Sequence, residues 1–105
     1  MIIFRDNFES DPYVELWLDE NDKKKTATKK GQVNPKYHEV FNFEVDVDKQ
    51  KTLTVRVLDK DLIKDDKLGE AKVNLHDAIT KGYSDTWVKL GQKKGEIHLI
   101  LEFAY

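Results

Sequence analysis

The 105 residues include no cysteine. No disulfide can staple the fold, and the composition suits a reducing, intracellular setting. No apolar run approaches the ~20 residues a membrane-spanning helix needs. The opening Met1-Ile2-Ile3-Phe4-Arg5-Asp6 holds too short an apolar stretch for a secretory leader. A strong net charge is also missing, since 18 Lys and Arg stand against 20 Asp and Glu. That balance argues against nucleic acid as a partner, which usually needs a strong positive field. There is no Ser-centred nucleophile elbow, no glycine loop to cradle phosphate and no cysteine nucleophile. His38, His76 and His98 stand without metal-ligand spacing. No enzyme is expected from this inventory.

What is present describes one small solvated domain over residues 1–105. Hydrophobic residues make up 39% and charged residues 36%, too apolar for a disordered chain and enough for a single core. Apolar residues alternate with polar ones in short stretches, the period of a half-buried strand. Val14, Leu16 and Leu18 oppose Glu15 and Trp17. Phe41, Phe43 and Val45 oppose Asn42 and Glu44. Leu53, Val55 and Val57 oppose Thr54 and Arg56. Ala71, Val73 and Leu75 follow, then Trp87 to Leu90, then Ile97, Leu99, Leu101 and Phe103. With a polar ribbon over Lys23 to Lys30 the count is about seven, the number expected of an antiparallel sandwich. Asp19 to Asp22 reads as a hairpin turn. Gly31 and Asn34-Pro35 stop the ribbon. His76 to Gly82 reads as a helical turn or two, ended by its glycine. Trp87, flanked by Val88 and Leu90, is expected in the core.

The charges are segregated. Lysines crowd Lys23 to Lys30 and acids crowd Asp59 to Asp66. Asp59 and Asp61 sit two apart, so an extended backbone aims both carboxylates one way. Asp65 and Asp66 return on the far side of the loop. Such crowding is relieved by a hard divalent cation, and irregular loops suit calcium better than magnesium. The plain alternative is a solvated acidic turn. The stretch is no EF-hand, because Ile63 occupies the third ligand place. Asp6 to Asp11 is a second acidic stretch. Its Asp11 stands at the mouth of a strand opened by Pro12, so two such mouths can lie at one end of a sandwich.

Successive landmarks along the chain resemble those of C2 domains. They are Ser10-Asp11-Pro12-Tyr13-Val14, Asn34 to Phe43, Val57-Leu58-Asp59-Lys60-Asp61, Asp65-Asp66-Lys67-Leu68-Gly69-Glu70 and Gly95-Glu96-Ile97. The resemblance implies an all-β, antiparallel Greek-key sandwich of the C2 type with seven to eight strands. It implies Ca2+ held by Asp11, Asp59 and Asp61, with the Lys60 carbonyl, Asp66 as the late ligand and Asp6 as the early one. Two spacings depart from the family pattern. The early ligand place falls on Arg5, one residue before Asp6, and the loop from Asp61 to Asp66 is one residue short, so Asp65 can stand in for Asp66.

The function implied is calcium-dependent docking on an anionic phospholipid membrane surface, by a cytoplasmic module that becomes peripheral to the membrane. The alternative is a calcium-independent protein-interaction sandwich. Phe8, Leu62 and Ile63 lie at loop tips, where apolar side chains can enter a head-group boundary. Lys23, Lys25, Lys29 and Lys30 form a basic patch that would add attraction to acidic lipid. Tyr13 matches the aromatic place that accompanies that ribbon in the family. The family's opening strand is absent or reduced to Met1 to Phe4, and an absent inner strand would leave backbone groups unpaired. A homodimer through strand exchange would fill that gap.

Overall fold

The computed structural model of the chain describes residues 2–5, 11–29, 36–37, 39–46, 48–49, 52–61, 63–91 and 95–104, with the backbone alone for 2–5 and 36. The strands are β1 Ile2–Arg5, β2 Pro12–Trp17, β3 Lys24–Lys25, β4 Lys36–Tyr37, β5 Thr52–Asp59, β6 Asp66–Asn74, β7 Tyr83–Lys89 and β8 Glu96–Glu102. One short helix, α1 His76–Lys81, joins β6 to β7. The strands form two four-stranded sheets in the orders β4-β1-β8-β7 and β3-β2-β5-β6. Every pairing given for them is antiparallel. Greek-key crossings follow, because β1 and β2 lie in different sheets, as do β4 and β5.

The core is the inward face of the alternating stretches. Val14, Leu16, Leu53, Val55, Val57, Val73, Leu75, Leu90, Ile97 and Leu99 form one buried cluster. Tyr37 joins it from β4, and its hydroxyl donates to the Pro12 carbonyl of the other sheet. That bond satisfies a buried acceptor and ties the sheets together beside the strand mouth of β2. Gly82 ends α1 at φ 79°, the left-handed conformation a glycine adopts without a Cβ penalty. The Asn74 side chain takes the His76 amide at the other end of the helix (2.8 Å).

Three expectations need correction. First, of the two alternatives for the opening strand the reduced one holds and leaves no gap: β1 pairs with β4 on one side and with β8 on the other. The described residues therefore include eight strands, and the gap that motivated a strand-exchanged homodimer is filled by the chain itself. Second, Phe41, Phe43 and Val45 alternate in burial with Asn42, Glu44 and Asp46, yet 39–46 carries no strand ladder. Third, Trp87 is 39% exposed. It sits on the outward face of β7, stacked on the His98 ring at 4.8 Å with 15° between planes. Trp17 alternates outward as expected, and there it is only 4% exposed. The Lys23 ammonium (4.6 Å) and the Arg56 guanidinium (4.8 Å) lie over its ring and take the place of water.

Candidate functional site

The two hairpin strands that carry the acidic motif are fixed by register. Pro12 opposes Asp59, and Asp59 opposes Asp66 across the β5–β6 pair. Directly opposite residues point to the same side of a sheet. Pro12 is buried toward the core, so Asp59 and Asp66 share that side at the mouth of the sandwich. The ladder slips between Val57 and Leu58. Such a bulge re-aims the strand end that bears the acids.

Asp11 closes onto this end. Its amide donates to Asp59 Oδ1 at 2.9 Å. Its carbonyl accepts from the Lys60 amide at 3.0 Å. Two acidic segments 48 residues apart in sequence are thus held side by side. Asp65 is anchored more fully. Its Oδ2 accepts from the Tyr13 hydroxyl at 2.6 Å, its Oδ1 accepts from the Asp61 amide at 3.1 Å, and Lys60 Nζ stands 3.6 Å away. The Tyr13 hydrogen bond, above all, and the Asp61 amide hold the Asp65 carboxyl below the usual carboxylate range. Burial, and then Asp65, push the Tyr13 phenol up to about 12. Asp61 and Asp66 are exposed.

Among the described residues, no three acidic or histidine side chains are grouped so as to hold a metal ion. The donor chemistry nonetheless fits calcium. The expected donors are carboxylates and a loop carbonyl, hard oxygens on an irregular turn, with no imidazole or thiolate among them. Of the expected ligands, Asp11, Asp59, Lys60, Asp61, Asp65 and Asp66 come to one end of the sheet. Asp6 lies outside the described residues. Of the expected membrane-facing residues, Ile63 is 97% exposed at the loop tip, while Phe8 and Leu62 also lie outside the described residues.

The basic patch is arranged by aromatic rings rather than by strand alternation alone. Lys23 covers Trp17, Lys24 lies 4.8 Å from the Phe43 ring and Lys29 lies 6.0 Å from the Tyr37 ring. Lys25 faces Glu15 across the β2–β3 pair. Thr26 continues that pairing through both its amide and its side chain to Val14. Lys30 lies outside the described residues. Sequence reading missed the Tyr13–Asp65 bond and the pairing of Arg56 with Glu70 at 2.9 Å. The second was accessible in principle, since a hairpin between β5 and β6 brings those charges opposite each other. The first had no local signal.

A two-sheet antiparallel sandwich with acidic loops gathered at one end is the arrangement of a C2 domain. A model of the C2 domain matches residues 4–90, and the chain belongs to that family. Human extended synaptotagmin-1 is 39% identical over 94 residues, covering 89% of this chain and 8% of that protein. The multiple C2 domain and transmembrane region protein 8 of Arabidopsis thaliana is 34% identical over 99 residues, covering 89% of this chain and 10% of that protein. The chain thus spans a tenth or less of the length of these curated relatives. The calcium-bound structure of the tandem C2 domains of extended synaptotagmin 2 superposes with a TM-score of 0.86 at 27% identity, over 96% of this chain and 42% of that one.

Proposed function

We propose that this domain is a non-enzymatic module that binds anionic phospholipid surfaces in response to calcium, with the ion held at the end of the sandwich that carries Asp11, Asp59 and Asp66. The observation that carries the reading is the Asp11 amide on Asp59 Oδ1, with Asp66 opposite Asp59. Two acidic segments distant in sequence are joined there through a backbone amide, and carboxylates at one end of a sandwich are the hard oxygen donors that calcium takes. Asp11, Asp59, Asp61, the Lys60 carbonyl and either Asp65 or Asp66 would hold it, with Asp6 as a further donor. When bound, calcium would offset the carboxylate charge and offer open coordination places to lipid phosphate oxygens. The similarity to a calcium-bound extended synaptotagmin 2 structure supports this reading.

The chain's own residues supply the rest. Ile63, fully projecting at the tip, enters the head-group boundary together with Leu62 and Phe8. Lys23, Lys25, Lys29 and Lys30 add salt-sensitive attraction to acidic lipid. The module works at cytoplasmic membrane faces as a peripheral protein. Among the described residues no helix is long and apolar enough to cross a membrane.

A second reading, a calcium-independent protein-interaction sandwich, is favoured by one observation. Asp59 and Asp65 already accept hydrogen bonds from the protein itself. Thermal melts in millimolar calcium and in chelator separate the two. A ligand that binds only the folded state raises the midpoint. The wild type is expected to melt several degrees higher with calcium, and Asp59→Asn with Asp61→Asn to remove the rise. Sedimentation with phosphatidylserine vesicles should follow the same pattern. An unchanged melt and calcium-independent sedimentation would favour the second reading.

A further inference from the structure

We infer that Asp65 is the brace of the β5–β6 loop rather than an ion ligand, and that Tyr13 is the residue that positions it. The inference deepens the calcium reading by dividing the two neighbouring acids between two roles. Both Asp65 oxygens are engaged within the protein, Oδ2 by the Tyr13 hydroxyl and Lys60 Nζ, Oδ1 by the Asp61 amide. Its side chain is only 22% exposed. Tyr13 lies between the core-facing Pro12 and Val14 on β2, so its ring stands on the outward face of the sheet. A carboxylate bonded to that hydroxyl is drawn to the outward side of the loop. Asp66 opposes Asp59 in register and shares its side at the mouth of the sandwich. The two acids are therefore turned apart, and only Asp66 stands with Asp59.

The brace has a consequence for the ion site. The bond from the Asp61 amide to Asp65 spans four residues and closes the loop on itself. The Tyr13 bond then fastens that closed loop to β2 across 52 residues. Fixing the backbone at Asp61 before an ion arrives removes part of the ordering cost from binding. Lys60 adds a cation on the outward side, where it offsets the Asp65 charge without meeting Asp66. Tyr13 thus acts on the ion through Asp65 and Asp61 and does not touch it.

The test has two arms. In chelator, urea unfolding of Tyr13→Phe, Asp65→Ala and the double variant forms a cycle. Removal of a shared, charge-assisted bond is expected to make the effects on the unfolding constant non-multiplicative by about tenfold. Multiplicative effects would overturn the brace, whatever calcium does. In the second arm calcium affinity is read from the rise in melting temperature. Asp66→Ala is expected to remove the rise. Asp65→Asn, which keeps an acceptor oxygen but loses the charge, is expected to keep it at a calcium concentration within about threefold of wild type, and Tyr13→Phe to need several-fold more. Loss of the rise in Asp65→Asn with retention in Asp66→Ala would make Asp65 the ligand and end the inference. If the wild type shows no rise at all, the calcium reading fails while the chelator cycle still decides the brace.

Discussion

Single atoms decide two positions that the motif alone leaves unexplained. A Cβ built on Gly69 would stand 2.7 Å from the Leu90 Cβ. Leu90 is buried in the core cluster, and its Cβ cannot swing away as the end of a long side chain could. The glycine that closes the acidic motif is thus a packing contact between β6 and the residue that follows β7, not a conformational requirement, since its φ is not positive. Gly69→Ala is expected to cost about 1–3 kcal/mol by overpacking. Scanning calorimetry should show a fall in melting temperature of several degrees, given ~4–8 °C per kcal/mol for a domain of this size. Tyr37 is the other such position. Burial, and then Glu39, push its phenol up, and its hydroxyl serves the Pro12 carbonyl. Tyr37→Phe would leave the Pro12 carbonyl with the Lys29 amide alone (3.0 Å), at a cost of about 0.5–1.5 kcal/mol for the one bond lost.

Strands and their pairs show what could be read from residue order. Alternation over Leu53-Val57 and Ile97-Leu99 exposed the core directly, because a strand repeats every two residues and a one-residue slip would invert it. The same logic puts Trp17 and Trp87 on outward faces, and the core placement of Trp87 from its apolar neighbours is what failed. Alternation assigns a face but not what covers it, and cations from Lys23 and Arg56 cover the first while the second stays half open beside His98. The acidic end was legible as a set of residues. Its internal bonds were not, because Tyr13 and Asp65 are 52 residues apart and nothing in either neighbourhood marks the other. Arg56 and Glu70 illustrate what register adds. The Arg56 hydrogen bond, more than any other group, holds the Glu70 carboxyl below its ordinary value. A carboxyl lowered in the folded state contributes stability above its unfolded pKa, and loses it as pH falls through the folded value. Stability should therefore decline from about pH 5 downward, by a modest amount for a partly exposed pair. Glu70→Gln should flatten that acid limb in urea titrations at pH 3 to 6, with little change in slope above it.

At the scale of the whole molecule, a four-residue element closes the fold. β1 is that short, yet among the described strands it alone joins β4 to the β8–β7 pair in its sheet. Without it β8 would present an open edge toward β4, and open edges pair with other chains. The chain supplies this strand itself, so no exchanged strand is needed and a monomer is expected in solution. Deleting residues 1–5 should change that state in a definite way. The variant is expected to melt well below the full chain and to associate as concentration rises, because the exposed β8 edge then seeks a strand from a neighbour. Sedimentation equilibrium of the two forms over a tenfold concentration range is the measurement. A full-length chain that already dimerises would show that β1 does not close the sheet. A deletion that stays monomeric with an unchanged melt would show that β4 and β8 hold together without it.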